Sequence, residues 1–159
     1  MDALRYGLGQ GRQVVISGET VEELLTFRQT GNESEAGGLL IGMYLKEGDH
    51  LYIDRLTTPQ SCDRRSKFRF FRSLMHNVRL QRIWRESKET RVFVGSWHTH
   101  PEPDPTPSET DLKDWARLLA KGRFVGDELL FIIVGTKRIR AWKGTRGARV
   151  VNELKPIGS

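Results

Sequence analysis

Two stretches of the chain are apolar almost without interruption, Leu39-Leu40-Ile41-Gly42-Met43-Tyr44 and Leu129–Val134. A strand with one wet face alternates apolar and polar side chains, whereas a continuous run needs cover on both faces. These two runs therefore demand a sheet with something packed against it. Val21, Leu24 and Leu25 recur at helical spacing behind Glu19, Glu22 and Glu23, acids that suit the first turn, and this helix is expected to end near Gly31. Phe71, Leu74, Met75 and Val78 predict a second, basic helix reaching about Ser87. A third opens at Ser108 and carries Leu112, Trp115, Leu118 and Leu119 on one face. Further strands are read at Val14–Ile16, Leu51–Leu56, Lys67–Phe71, Val92–Trp97, Arg138–Lys143 and Arg149–Leu154. The chain is thus α/β, a mixed sheet with helices packed against it. Its 159 residues suit one domain spanning 1–159. Residues 1–12, with Gly7, Gly9 and Gly11, read as a flexible lead-in. They are no dinucleotide loop, because the third fingerprint glycine would fall at Arg12.

Several function classes drop out. No apolar run approaches the ~20 residues that span a bilayer, and the N-terminus lacks a signal-peptide core, so no membrane partner is expected. Cys62 is the only cysteine, which rules out an internal disulfide and a zinc ribbon and fits a reducing, cytoplasmic setting. The net charge of +6 is unevenly spread. Arg64 to Arg91 holds ten basic and two acidic residues, while Glu19 to Asp54 holds eight acidic and two basic. A basic face of this kind meets nucleic acid or an acidic protein surface, or is simply solvated.

The chemistry concentrates in Trp97 to Asp111, WHTHPEPDPTPSETD. His98 and His100 lie two apart at the end of a strand, where alternation points both imidazoles to the same side. Asp111 completes two nitrogens and a carboxylate, the usual protein ligands of a hydrolytic zinc with one position open. Three prolines between Glu102 and Pro107 force a loop. Pro107-Ser108-Glu109-Thr110-Asp111 also reads as a helix start, with Ser108 as N-cap and Asp111 reaching back to it. Cap and ligand compete for one carboxylate at Asp111, and the three-ligand rule favours the metal. Zinc brings the pKa of its bound water to roughly 7, and a base must then take the proton. Spacing alone does not choose that base among the many carboxylates.

The pattern His98-x-His100-Pro101, six residues, Ser108-x-x-Asp111 resembles that of the JAB/JAMM (MPN-plus) metalloproteases, and Glu35-Ala36-Gly37-Gly38-Leu39-Leu40-Ile41-Gly42 is similar to the family's upstream glutamate element. The resemblance covers about residues 14 to 135. It implies one zinc per chain held by His98, His100 and Asp111, with Glu35 rather than Glu33 as general base and Ser108 steadying the oxyanion. It also implies a fold like the cytidine deaminase sandwich. Deamination itself is disfavoured, because the chain has no second cysteine for the Cys-x-x-Cys pair of that chemistry. Asp63-Arg64-Arg65 before Phe68, the Trp97–Glu102 run and Trp115 most resemble small bacterial members encoded beside E1- and E2-like enzymes. Those include the deconjugating peptidases of CBASS antiphage operons.

The resemblance implies a zinc isopeptidase cutting the amide after the C-terminus of a conjugated protein, either a CD-NTase-type nucleotidyltransferase or a ubiquitin-like protein. The alternatives are trimming of a sulfur-carrier C-terminus, a non-catalytic MPN scaffold, and a nucleic-acid-binding module. Intact Glu35, His98, His100, Ser108 and Asp111 argue against the scaffold. The nucleic-acid module lacks a recognisable motif and stacking aromatics. Cys62, His50 and His76 are given no catalytic part. Trp84, Trp115 and Trp142 are expected at the core edge. Arg64, Arg65, Lys67 and Arg69 either grip an acidic tail or form a solvated loop.

Overall fold

The structure, a computed structural model, describes residues 1–148 and 150–158. Among the described residues, ten strands and three helices follow the order β1 (Leu4–Gly9), β2 (Arg12–Ile16), α1 (Gly18–Thr26), β3 (Gly37–Tyr44), β4 (Leu51–Leu56), β5 (Arg64–Ser66), β6 (Arg69–Phe71), α2 (Met75–Glu86), β7 (Val92–Thr99), α3 (Glu109–Lys121), β8 (Glu128–Val134), β9 (Ile139–Thr145) and β10 (Val151–Glu153). Eight strands form one sheet ordered β1-β2-β4-β3-β7-β8-β9-β10, and β5 and β6 form a separate hairpin. The pairs β2–β4 and β7–β8 are parallel and the rest antiparallel, so the sheet is mixed, as the sequence predicts. It curls until β1 meets the end of the chain. The Gly7 amide donates to the Lys155 carbonyl and the Ile157 amide to that of Arg5, at 3.0 and 2.9 Å.

Residues 1–12 are therefore not a flexible lead-in. Tyr6 and Leu8 alternate with Arg5 and Gly7 and are buried, and β1 pairs with β2 through a tight turn. The glycines that suggested a loose segment occupy the outward positions and the turn, where Gly9 and Gly11 take positive φ. Helix α1 also stops at Thr26, short of Gly31. There the chain turns inward to pack Phe27 against Trp97, ring centroids 5.4 Å apart and planes tilted by 45°, and to bury Gln29. The short strand expected at Lys67–Phe71 is the second arm of the β5–β6 hairpin. In the strand expected at Arg149–Leu154, Arg149 lies outside the described residues, and β10 covers Val151–Glu153.

The continuous run of β8 divides by alternation. Leu130, Ile132 and Val134 enter the larger core with Val14, Ile16, Leu24 and Trp97, while Leu129, Phe131 and Ile133 pack under α3 against Trp115 and Leu119. Trp115 stacks on Phe131 at 4.6 Å and touches Trp142 at 5.6 Å, so both tryptophans belong to the core rather than its edge. Trp84 stays 39% exposed.

One irregularity decides where the site forms. Leu40 pairs with Gly95 but Ile41 with Phe93, which leaves Val94 as a bulge in β7. Phe93 faces the α3 side. Plain alternation from there would bring Trp97 to that side and send His98 away. The extra residue reverses the parity, so Trp97 enters the larger core and His98 faces Trp115.

Candidate metal centre

Strand β7 delivers His98, and the chain just beyond it delivers His100, with their Nε2 atoms 3.0 Å apart. Asp111, in the first turn of α3, places Oδ2 at 3.2 Å from His98 Nε2 and 3.0 Å from His100 Nε2. The three donor atoms form a nearly equilateral triangle. A tetrahedral zinc with ligand bonds of about 2.0–2.1 Å requires donor–donor edges of roughly 3.3 Å. The observed edges fall a few tenths of an ångström short, a difference small rotations of the side chains supply, so donor types and spacing both fit such an ion. Glu35, at the mouth of β3, has a carboxylate oxygen within 4.8 Å of both histidine donors. All three of Glu35, His98 and His100 are buried, between 5% and 8% exposed.

The cap and ligand readings of Asp111 are not alternatives. Its Oδ2 accepts the Ser108 amide at 2.8 Å while facing both imidazoles, and Ser108 Oγ accepts the Asp111 amide at 3.1 Å. The box is complete, and it aims the carboxylate at the histidines. Because Ser108 Oγ is already an acceptor, its O–H remains available as a donor.

Electrostatics follow from burial and proximity. Burial, opposed by His100 and assisted by the Asp111 and Glu102 charges, raises Glu35 to about 8. Burial alone would lower His100, yet hydrogen bonds to Asp111 and Glu102 prevail and lift it to about 9. Burial also disfavours ionised Asp111, but the imidazole hydrogen bonds hold its carboxyl far below the usual range. Asp111 thus keeps its negative charge where a cation would sit.

Sequence reading missed the residues that hold Glu35 in place. Its amide donates to the Ser66 carbonyl at 2.7 Å, and its own carbonyl accepts Arg65 Nε at 2.8 Å, both from β5. Arg65 thus binds the glutamate's backbone. On the other side, Thr99 Oγ1 accepts the Ala36 amide at 2.9 Å and donates to the buried Gln29 at 2.7 Å. Gln29 in turn donates to the carbonyls of Glu33 and Lys67. These contacts span up to 70 residues, and no spacing rule announces them. Glu102 was missed as well: its Oε1 lies 2.9 Å from His100 Nδ1. Here a signal did exist, a carboxylate two residues beyond a candidate ligand.

Beside the triangle, a groove of about 650 Å³ runs between α2 and α3, with Phe70, Phe71, Leu74, Arg72, Arg117 and Lys121 among its walls and His98 and Asp111 at one end. His76 is fully buried between Asp63 Oδ2 at 2.8 Å and Thr57 Oγ1 at 2.6 Å, a packing role that ties α2 to the sheet. Cys62 is exposed, as its polar loop suggests.

A curled mixed sheet with a two-histidine, one-carboxylate cluster at the end of a central strand defines an α/β domain built around a candidate metal centre. The chain belongs to the prokaryotic JAB family: residues 18–145 match the description "Prokaryotic homologs of the JAB domain". It is 36% identical over 149 residues to a Vibrio cholerae serotype O1 protein named CD-NTase/cGAS isopeptidase, covering 92% of this chain and 90% of that one. An Escherichia coli protein of the same name is 35% identical, covering 89% and 87%. A protein from Desulfitobacterium hafniense, solved in solution, shares the fold with a TM-score of 0.62 at 20% identity, covering 88% of each chain.

Proposed function

We propose that this chain is a zinc-dependent isopeptidase that hydrolyses the amide joining the C-terminus of a conjugated protein to its target. The relatives named isopeptidase support the reaction class, and their names point to a CD-NTase-type nucleotidyltransferase as the conjugated protein. The carrying observation is the triangle of His98, His100 and Asp111 with a buried glutamate beside it. His98, His100 and Asp111 would hold the zinc, which when bound acidifies water and polarises a carbonyl. Glu35 takes the proton of the attacking water and returns it to the departing amine. Burial favours this role, because a carboxylate lifted to about 8 is a stronger base than an ordinary one. The Ser108 hydroxyl, with its hydrogen uncommitted, donates to the tetrahedral oxyanion, a contact typically worth ~3 kcal/mol.

The substrate tail reaches the site along the groove between α2 and α3, whose apolar and cationic walls suit a chain end. Cytoplasmic action beside E1- and E2-like enzymes completes the reading. A scaffold has no use for an assembled donor triangle, which weighs against that alternative.

The test joins metal analysis with cleavage of a conjugate made by the E1- and E2-like enzymes. About one zinc per chain and release of the intact nucleotidyltransferase are expected, with Glu35→Gln keeping zinc and losing release. A well-folded protein that takes up no zinc, or a zinc-loaded one that leaves the conjugate whole, would overturn the reading.

A further inference from the structure

We infer that Glu102 is a positioning residue for the metal centre, fixing the His100 ring and the tautomer in which its Nε2 is free to bind. This rests on the zinc reading above and extends it to a residue outside the ligand set. The two nitrogens of His100 are both spoken for, on opposite sides. Nε2 faces His98 and Asp111 at 3.0 Å each. Nδ1 lies 2.9 Å from Glu102 Oε1. Both carboxylates accept and neither donates, so a metal taking Nε2 and Asp111 Oδ2 would displace the hydrogen between them and leave the one on Nδ1, held by Glu102. Without that acceptor, a neutral imidazole is free to carry its hydrogen on Nε2, where it would occupy the metal's place.

Glu102 is itself braced, unlike a chance surface carboxylate. The same Oε1 accepts the Thr106 amide at 2.9 Å, across the proline loop. Its carbonyl accepts the Thr136 amide at 2.9 Å, which pins the residue to the β8–β9 turn. At that turn a Cβ on Gly135 would come within 2.7 Å of the Glu102 carbonyl oxygen, so only glycine permits the approach. The loop is held from outside too, with Arg140 donating to the Pro105 carbonyl and Arg138 to Asp104, both at 2.9 Å. The prolines thus form a rigid strap whose inward-facing carboxylate meets one imidazole. Carboxylate–imidazole pairs of this sort raise the basicity of a metal-binding nitrogen and hold its ring, and their loss typically costs roughly 10–100-fold in metal affinity.

The experiment measures Zn²⁺ affinity of the full chain by competition with a chromophoric chelator, for wild type, Glu102→Ala and Glu102→Gln. The His100 ring nitrogens are read alongside by long-range ¹H–¹⁵N NMR, and unfolding is followed on metal-free protein. Glu102→Ala should bind zinc roughly 10–100-fold more weakly and, compared at a pH where the metal-free His100 ring is neutral, show a mixed or Nε2–H tautomer. Glu102→Gln, whose carbonyl oxygen still accepts from Nδ1, should recover most of the affinity. Zinc binding within threefold of wild type in Glu102→Ala, with the tautomer unchanged, overturns the inference. So does a loss of melting temperature with the His100 signals unmoved, since Glu102 would then be a loop brace only. Wild type that binds no zinc would instead sink the isopeptidase reading, so the two failures are told apart.

Discussion

Arg65 Nε donates to the main-chain carbonyl of Glu35 at 2.8 Å, while the Glu35 amide donates back to Ser66. The β5–β6 hairpin thereby holds the backbone of the proposed base. Arg65→Ala should lower kcat by about ten- to a hundredfold, because a base displaced by even an ångström is poorly aligned. Zinc content should stay at the wild-type level. Metal analysis beside conjugate-cleavage kinetics checks both halves, and parallel loss of zinc would show that the hairpin supports the ligands instead.

Glu35 also carries a stability signature. Its folded pKa of about 8 stands above the ordinary carboxylate value, so the group favours folding while protonated. That contribution is complete below the unfolded value of ~4.3 and is lost as pH rises through about 8. Metal-free Glu35→Gln should therefore be more stable than metal-free wild type at pH 8, by on the order of a few kcal/mol, with the gap closing toward pH 4. Urea unfolding of both proteins across that range measures it. A gap that widens on acidification would mean that Glu35 is ion-paired in the folded state.

Ser108 separates the two functions of the α3 start. Ser108→Ala removes the cap bond to the Asp111 amide and the free O–H together. The cap should cost ~1 kcal/mol, visible as a fall of roughly 2–4 °C in Tm. The lost oxyanion donor should cost about 10²–10³ in kcat. Ser108→Asp should cap the helix and restore Tm without restoring turnover, and a variant that regains both would show that Ser108 acts only through the helix.

How much of this was legible in the sequence depended on how far each relation reaches. Helices and central strands follow from local periodicity, as in the α3 face of Trp115 and Leu119. The pairing of His98 with His100 is equally local, but which face they share turns on the Val94 bulge, whose cause lies in the pairing of β3 with β7. Strand β1 escaped notice because Gly7 and Gly9 hide the alternation that Tyr6 and Leu8 carry. Glu35 was reachable only through the family resemblance, since 63 residues part it from His98 in the chain and no period links them. The supporting bonds from Gln29, Arg65 and Thr99 are tertiary facts, set by how the hairpin and α1 dock.

The bulge makes a final prediction about Gly95, the residue after Val94. Its α-carbon lies so close to β8 that a Cβ there would stand 1.8 Å from the Leu130 carbonyl oxygen. That neighbour is backbone within a parallel pair, so it cannot swing aside as a flexible side chain would. Gly95→Ala must part β7 from β8 or shift the bulge, and a one-residue shift would turn His98 away from Asp111. The loss should exceed ~3 kcal/mol, at the severe end for a single substitution. Gly126 offers the contrast. It has a positive φ of 77° but, among the described residues, nothing within 4 Å of the added carbon, so Gly126→Ala should cost only about 1 kcal/mol. Denaturant melts of the two variants, with zinc content measured on whatever folds, decide the matter. A Gly95→Ala protein as stable as Gly126→Ala and fully zinc-loaded would mean that the β7–β8 spacing is not what holds the histidines in register.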